Sequence, residues 1–269
     1  MCSMRLRLPV VASAILIAIG IALQLFVFGP IDNKMFRERV KTGGRSALLL
    51  GSTGATGKYV LKELLERDEW TRIVLVGRRA PTDLKVDDAG KQVDVIIADL
   101  VKPLVELTSD DLAKLQGVDH VFNCIGTTRA KAGGADGFEA IEVGISTKVF
   151  KAAASAGIKS ASLISAQSAH NGPGPRFFHP LFYGKTMYRK EQSMINQGFT
   201  KTTVFRPGML ERLADGKPSG NVLKKMLNPL HVDILAKAMV NDAESKTAKD
   251  EEKTLFISGN PTITAYANL

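Results

Sequence analysis

Cysteine is nearly absent from this chain of 269 residues. Cys2 and Cys124 are the two present, too few and too far apart for a disulfide framework or a paired-cysteine zinc motif. A reducing compartment fits that usage, and Cys124, inside the apolar run DHVFNCIG, reads as a buried, inert thiol. The four histidines, His120, His170, His179 and His231, form no HExxH or HxH pattern, so no metal site is expected. Internal repeats are lacking. So is any basic run interleaved with aromatics: the net charge of +9 comes from lysines and arginines scattered among acids. Nucleic acid is therefore not an expected partner. No acidic residue occurs before Asp32, which is compatible with mitochondrial import.

A long uncharged stretch is present. Residues 8–29, LPVVASAILIAIGIALQLFVFG, contain only Ser13 and Gln24 as polar side chains. At about 1.5 Å per residue, a helix of this length spans a bilayer. A cleaved signal peptide has a shorter apolar core, so a retained single-pass anchor is expected, with residues 1–7 as its tail. Lys34, Arg37, Arg39 and Lys41 follow the span and outnumber Arg5 and Arg7 before it. That excess places the globular part in the matrix or cytosol, with the mitochondrial inner membrane favoured. Residues 30–45 form a polar linker, and residues 46–269 are long enough for one domain.

That domain opens with a strand-turn-helix pattern. The apolar run SALLL leads into Gly51-Ser52-Thr53-Gly54-Ala55-Thr56-Gly57, and then Val60, Leu61, Leu64 and Leu65 recur at helical spacing. A tight turn that brings backbone close to a pyrophosphate needs glycine, and the helix start that follows offers unpaired N–H groups. The next expected strand, residues 72–77, ends in Gly77-Arg78-Arg79 where an NAD site has an acid. Two guanidinium groups suit a 2′-phosphate, which favours NADPH over NADH. Further strands are expected at 93–100, 119–126 and 160–165, with a helix over 138–156 between the last two. Asp99 and Leu100 end the first of these strands, where Asp99 would meet an adenine edge. Gly126, Thr127 and Thr128 end the second, beside the cofactor. Strands alternating with helices give an α/β, doubly wound parallel sheet. Downstream, a strand and turn are read at 202–210, a lid-like segment from Arg212 to Leu230, a helix over 231–243 and a strand at 254–259.

Several segments, GSTGATGKYVLKELL, IVLVGRR, CIGTTRAKAGGADGF, LISAQSA and TVFRPGML, together resemble the Tat-interacting-protein type of oxidoreductase. These are atypical short-chain dehydrogenase/reductase proteins, and the likeness covers about residues 46 to 240. It implies a Rossmann domain with a small C-terminal substrate part and NADPH as cofactor. It also implies that the active-site serine is Ser165, the active-site tyrosine Tyr183, and the turn beside the nicotinamide Arg206-Pro207-Gly208.

One expected residue is missing. A lysine four residues after the tyrosine would share its helix face and favour the phenolate. That position is Met187, and no Tyr-x-x-x-Lys occurs anywhere in the chain. Lys185 points to the opposite side, and Lys190 lies on the right face but roughly 10 Å along the axis. The segment HNGPGPRFFHPLF is read as loop, and its Phe177, Phe178 and Phe182 either cap the core, dock a partner or line a substrate entrance. The expectation is a membrane-anchored NADPH-binding protein with weakened redox chemistry. Its role would be that of a structural or regulatory subunit of a larger membrane complex, by analogy with a short-chain-dehydrogenase-like subunit of respiratory complex I. The alternative is a working NADPH-dependent reductase of carbonyl or lipid-like substrates at a membrane surface. A third reading is a sensor of the NADPH/NADP ratio.

Overall fold

The structure is a computed structural model that describes residues 44–82, 90–102, 107–214, 217–218, 229–245 and 253–269. The expected tail, the anchor at 8–29, nearly all of the linker, Cys2 and most of the lid-like segment lie outside the described residues. No helix among the described residues is long and apolar enough to cross a membrane.

Seven strands form one sheet: β1 (Arg45–Leu50), β2 (Trp70–Gly77), β3 (Gln92–Ile97), β4 (His120–Asn123), β5 (Ser160–Ile164), β6 (Lys201–Arg206) and β11 (Lys253–Ser258). Their order is β11-β6-β5-β4-β1-β2-β3, and every pairing is parallel. Among the described residues there are also two two-stranded sheets: β7 (Leu210–Glu211) pairs with β10 (Leu230–His231), and β8 (Leu213–Ala214) with β9 (Lys217–Pro218). The helices are α1 (Gly57–Glu66), α2 (Ser109–Lys114), α3 (Ala135–Glu139), α4 (Ser146–Ser155), α5 (His179–Ile195), α6 (Val232–Glu244) and α7 (Asn260–Ala267).

Alternation along the strands builds two cores. Ala47, Leu49, Ile73 and Leu75 pack against Val60, Leu61 and Leu64 of α1 and against Leu235, Met239 and Ile263 of α6 and α7. Leu48, Leu50, Val74 and Val76 pack against Val149, Phe150 and Ala153 of α4 and Met194 of α5. Near-continuous apolar strands such as LLL and IVLV follow from burial on both faces. The chain order reverses between β1 and β4, and a crevice opens there at the carboxyl ends of the strands.

Several expected boundaries need correction. The strand expected at 93–100 ends at Ile97, and the one expected at 119–126 ends at Asn123, because the backbone turns away where the crevice begins. The helix expected at 138–156 starts at Ala135 and is interrupted by a π-helical turn, Ala140–Ile145. The segment read as loop through Phe182 becomes helix at His179, where Pro180 fits the first turn without losing a hydrogen bond. Helices α2 and α7 are additional to the elements expected from sequence. The expected helix at 231–243 is α6, displaced by one residue.

His120 sits wholly buried in β4, hydrogen-bonded to the hydroxyls of Ser160 (2.7 Å) and Ser162 (3.0 Å). Burial holds its pKa well below 6.5, with Arg45 and Lys201 adding to the effect, so the folded state keeps a neutral imidazole. Below about pH 6.5 the unfolded chain binds a proton that the folded chain refuses, so stability contributed by His120 falls as pH falls. Denaturant midpoints measured at pH 7.5 and pH 5 are expected to drop on acidification. A His120→Asn variant is expected to show a smaller drop; an equal drop would assign the dependence to other groups.

Candidate functional site

The crevice is a groove of about 560 Å³, within the size range of small-molecule sites. Its floor is the turn after β1. Gly51 has φ of +79°, and a Cβ there would lie 3.0 Å from the Cys124 carbonyl. A Cβ on Gly57 would lie 2.0 Å from the Gly51 carbonyl oxygen, so α1 can start against the turn only with glycine at this position. Among the expected cofactor residues, Gly51, Thr53, Gly54, Arg78, Arg79, Leu100, Gly126 and Thr127 line the groove. Ser52 and Thr56 are buried within the turn, and Ala55 and Gly57 complete it. Asp99 lies between the lining residues Ala98 and Leu100; its Oδ1 is buried with no hydrogen-bond partner among the described residues, and its Oδ2 lies 3.8 Å from the Lys102 ammonium. Arg78 and Arg79 stand exposed at the rim, and neither is ion-paired among the described residues. Thr128, just beyond the lining, accepts a turn hydrogen bond from the Lys131 N–H at 3.3 Å.

These features fit a nicotinamide dinucleotide. The glycine turn is bent too tightly for a Cβ at Gly51 or Gly57, α1 presents its N-terminus, and a carboxylate oxygen buried beside the lining has no donor among the described residues.

The expected reaction residues occupy the next strands along. Ser165 follows β5, and its N–H donates to the Phe205 carbonyl at 2.8 Å. Its hydroxyl donates to Glu191 Oε1 at 2.5 Å. Glu191 is fully buried and also takes two hydrogen bonds from Arg206, at 2.8 and 2.6 Å. Pro207 accepts from the Gln167 N–H at 2.9 Å, and the Gly208 N–H donates to the Asn260 side chain at 2.9 Å, so the RPG turn is tied to β5 and α7. Tyr183 is half-buried, its ring 5.8 Å from Phe138 and 6.0 Å from His179. Burial, with a smaller contribution from the Glu142 carboxylate, pushes its phenol up to about 12. Neither Ser165 nor Tyr183 is part of the groove lining.

Met187 is buried, at 3% exposure, in an apolar cluster with Phe138, Ala166 and Phe182. Lys190 stays within α5 but turns beneath the end of β4. Its ammonium donates to the Ile125 carbonyl at 2.6 Å and to Glu142 at 3.0 Å. Of the aromatics in this segment, Phe182 caps the core, whereas Phe177 (91% exposed) and Phe178 face solvent, as does the aliphatic Leu181. Arg176 holds this loop to α3 through ion pairs with Asp136 and Glu139.

The importance of Glu142 and Glu191 was not read from the sequence, although a signal existed. Phe138, Glu142, Ile145 and Val149 recur at core-facing spacing, as do Met187, Lys190, Glu191 and Met194. Charged residues at such positions must be paired. Cys124, also in the groove lining, has its thiol raised to about 12 by burial and behaves as an inert wall.

A parallel seven-stranded sheet with a glycine turn at the point of chain reversal defines a dinucleotide-binding Rossmann protein. The chain belongs to the NAD(P)H-binding family, which matches residues 51–252, as an atypical short-chain dehydrogenase/reductase of the Tat-interacting-protein type. It is 32% identical to the mitochondrial protein FMP52 of Meyerozyma guilliermondii, over 79% of this chain and 91% of that one. It is 33% identical to the protein HTATIP2 of Rattus norvegicus, over 65% of this chain and 66% of that one. Similar solved folds include MoeE5 in complex with UDP-glucose and NAD, with a TM-score of 0.57, 16% identity, and coverage of 79% of this chain and 75% of that one. Another is the UDP-glucuronic acid 4-epimerase of Bacillus cereus with NAD, with a TM-score of 0.54, 16% identity, and coverage of 80% and 78%.

Restoring a lysine by Met187→Lys would place an ammonium in the Phe138–Phe182 cluster. The expected result is a loss of about 2 kcal/mol or more, read as a melting temperature lower by about 5 °C. An unchanged melting temperature would mean that this side chain reaches solvent or the groove instead.

Proposed function

We propose that this chain is a membrane-anchored NADPH-binding protein of mitochondria whose role is structural or regulatory, as an accessory subunit of a membrane complex. The observation that carries this reading is an intact nucleotide groove beside an altered reaction side. Bound NADPH supplies a hydride, and a reductase must then give its substrate oxygen a proton and a hydrogen bond. Here the Ser165 proton is already donated to a buried carboxylate, and Tyr183 has Glu142 for a charged neighbour in place of a lysine. The apolar stretch at 8–29 supports the anchor, and the mitochondrial name of the FMP52 relatives supports the organelle. Arg78 and Arg79, exposed at the rim and not ion-paired among the described residues, support NADPH over NADH.

A second reading keeps catalysis. Tyr183 stays a neutral phenol and can act as a general acid, and the exposed Phe177, Phe178 and Leu181 precede it by a few residues. On this reading the protein reduces carbonyl or lipid-like substrates at a membrane surface.

Native mass after gentle detergent extraction separates the two. Co-migration of the full chain with a large particle that retains NADPH without turnover is expected. A monomer- or dimer-sized particle that oxidises NADPH in a Tyr183-dependent manner would favour the reductase. The cofactor assignment has its own test: Arg78→Glu with Arg79→Glu is expected to weaken NADPH by about 100-fold and NADH by less than about threefold, two charge-assisted contacts being worth about 3 kcal/mol. Equal weakening of both would refute the 2′-phosphate role.

A further inference from the structure

The turn after β4 is gripped from beneath by three buried side chains. Asn123 Oδ1 accepts from the Ile125 N–H at 3.0 Å. Lys190 donates to the Ile125 carbonyl at 2.6 Å. Glu142 Oε1 accepts from the Thr127 N–H at 2.7 Å, and its Oε2 takes the second Lys190 hydrogen bond at 3.0 Å. Ile125, Gly126 and Thr127 are groove lining, so the ammonium and the carboxylate sit directly behind the wall that faces a bound nucleotide. Resting on the nucleotide reading of that groove, we infer that Lys190 and Glu142 are a positioning pair that presets this wall for the dinucleotide, with position 190 supplying a cation that position 187 lacks.

Three observations favour positioning over stability. First, the side chains of Lys190 and Glu142 are 1% and 3% exposed, and a buried ion pair of this kind is often no more stabilising than apolar residues of equal volume. Second, the pair spends its hydrogen bonds on the backbone of one turn, from the carbonyl of residue 125 to the amide of residue 127. Third, Glu142 lies within the π-helical turn, a distortion frequent at functional sites. That turn is itself wired to the same wall: Ser146 donates to the Glu142 carbonyl at 2.6 Å, and Asn123 donates to the Ser146 hydroxyl at 2.8 Å. Gly126, between the two gripped residues, has a clear path to the groove, and a Cβ there would approach nothing nearer than Glu142 Oε1 at 3.9 Å.

The test uses the full chain in detergent micelles, titrated with NADPH while dihydronicotinamide fluorescence and anisotropy are followed, with the melting temperature of the unliganded protein measured in parallel. Lys190→Met combined with Glu142→Leu removes both charges at nearly constant volume. The expected result is a melting temperature within a few degrees of the parent and a Kd for NADPH raised at least tenfold. Lys190→Arg, which keeps the donor and the charge, is expected to hold the Kd within about threefold. A double variant that binds NADPH as the parent does would overturn the proposal and make the pair a structural filler. Should the double variant not fold, Lys190→Gln combined with Glu142→Gln removes both charges while keeping a hydrogen-bonding side chain at each position, and an unchanged Kd there overturns it equally. A parent chain that binds neither NADPH nor NADH removes the nucleotide reading itself, an outcome distinct from a binding parent with an indifferent double variant.

Discussion

Two adjacent charges of opposite sign, Lys190 and Glu191, are buried side by side on α5, and the geometry of the reaction side depends on both being paired. Successive helix residues point about 100° apart, so one side chain reaches the β4 turn while the other reaches β5 and β6. Glu142 receives the first and Arg206 the second. Breaking either pair leaves a buried charge uncompensated, at a cost of about 3–5 kcal/mol. Sliding α5 by one residue would break both. The register of the helix is therefore fixed electrostatically, and with it the positions of Tyr183, Thr186 and Met187.

That register has chemical consequences. The ammonium buried on α5 lies under the β4 turn, seven residues past Tyr183, and the charge that most influences Tyr183 is the Glu142 carboxylate. A carboxylate opposes phenolate where an ammonium would favour it. Ser165 is drawn into the second pair and spends its proton on Glu191. Met187, freed from any polar duty, becomes core together with Phe138 and Phe182.

The fold was legible because its signals are local. Three consecutive apolar residues at Leu48–Leu50, a glycine turn and Val60, Leu61 and Leu64 at helical spacing state a Rossmann unit within twenty residues. The groove residues were legible for the same reason, since strand ends in a parallel sheet converge whatever the loops do. The buried charges were not, because pairing between residues 142 and 190, or 191 and 206, is set by packing that no short window contains. The early end of β4 belongs to the same class: Ile125 is apolar and reads as strand, yet its amide and carbonyl are both held by side chains instead of a neighbouring strand. The start of α5 at His179 was missed because glycine and proline through Pro175 favour a loop, while Pro180 is compatible with a first helical turn.

The nucleotide groove and the reaction side are held by different physics. The glycine-turn side of the groove is made of backbone: a positive φ at Gly51, a van der Waals limit at Gly57 and a helix start, none of which requires a particular side chain on α5, whereas the β4-turn wall is held by Lys190. The reaction side is made of side chains whose protons and charges must be in a particular arrangement. On the proposed reading, methionine at 187 changes the second without disturbing the first. The coupling that remains runs through the β4 turn, because Glu142 touches both the Thr127 amide of the groove wall and, electrostatically, the Tyr183 phenol.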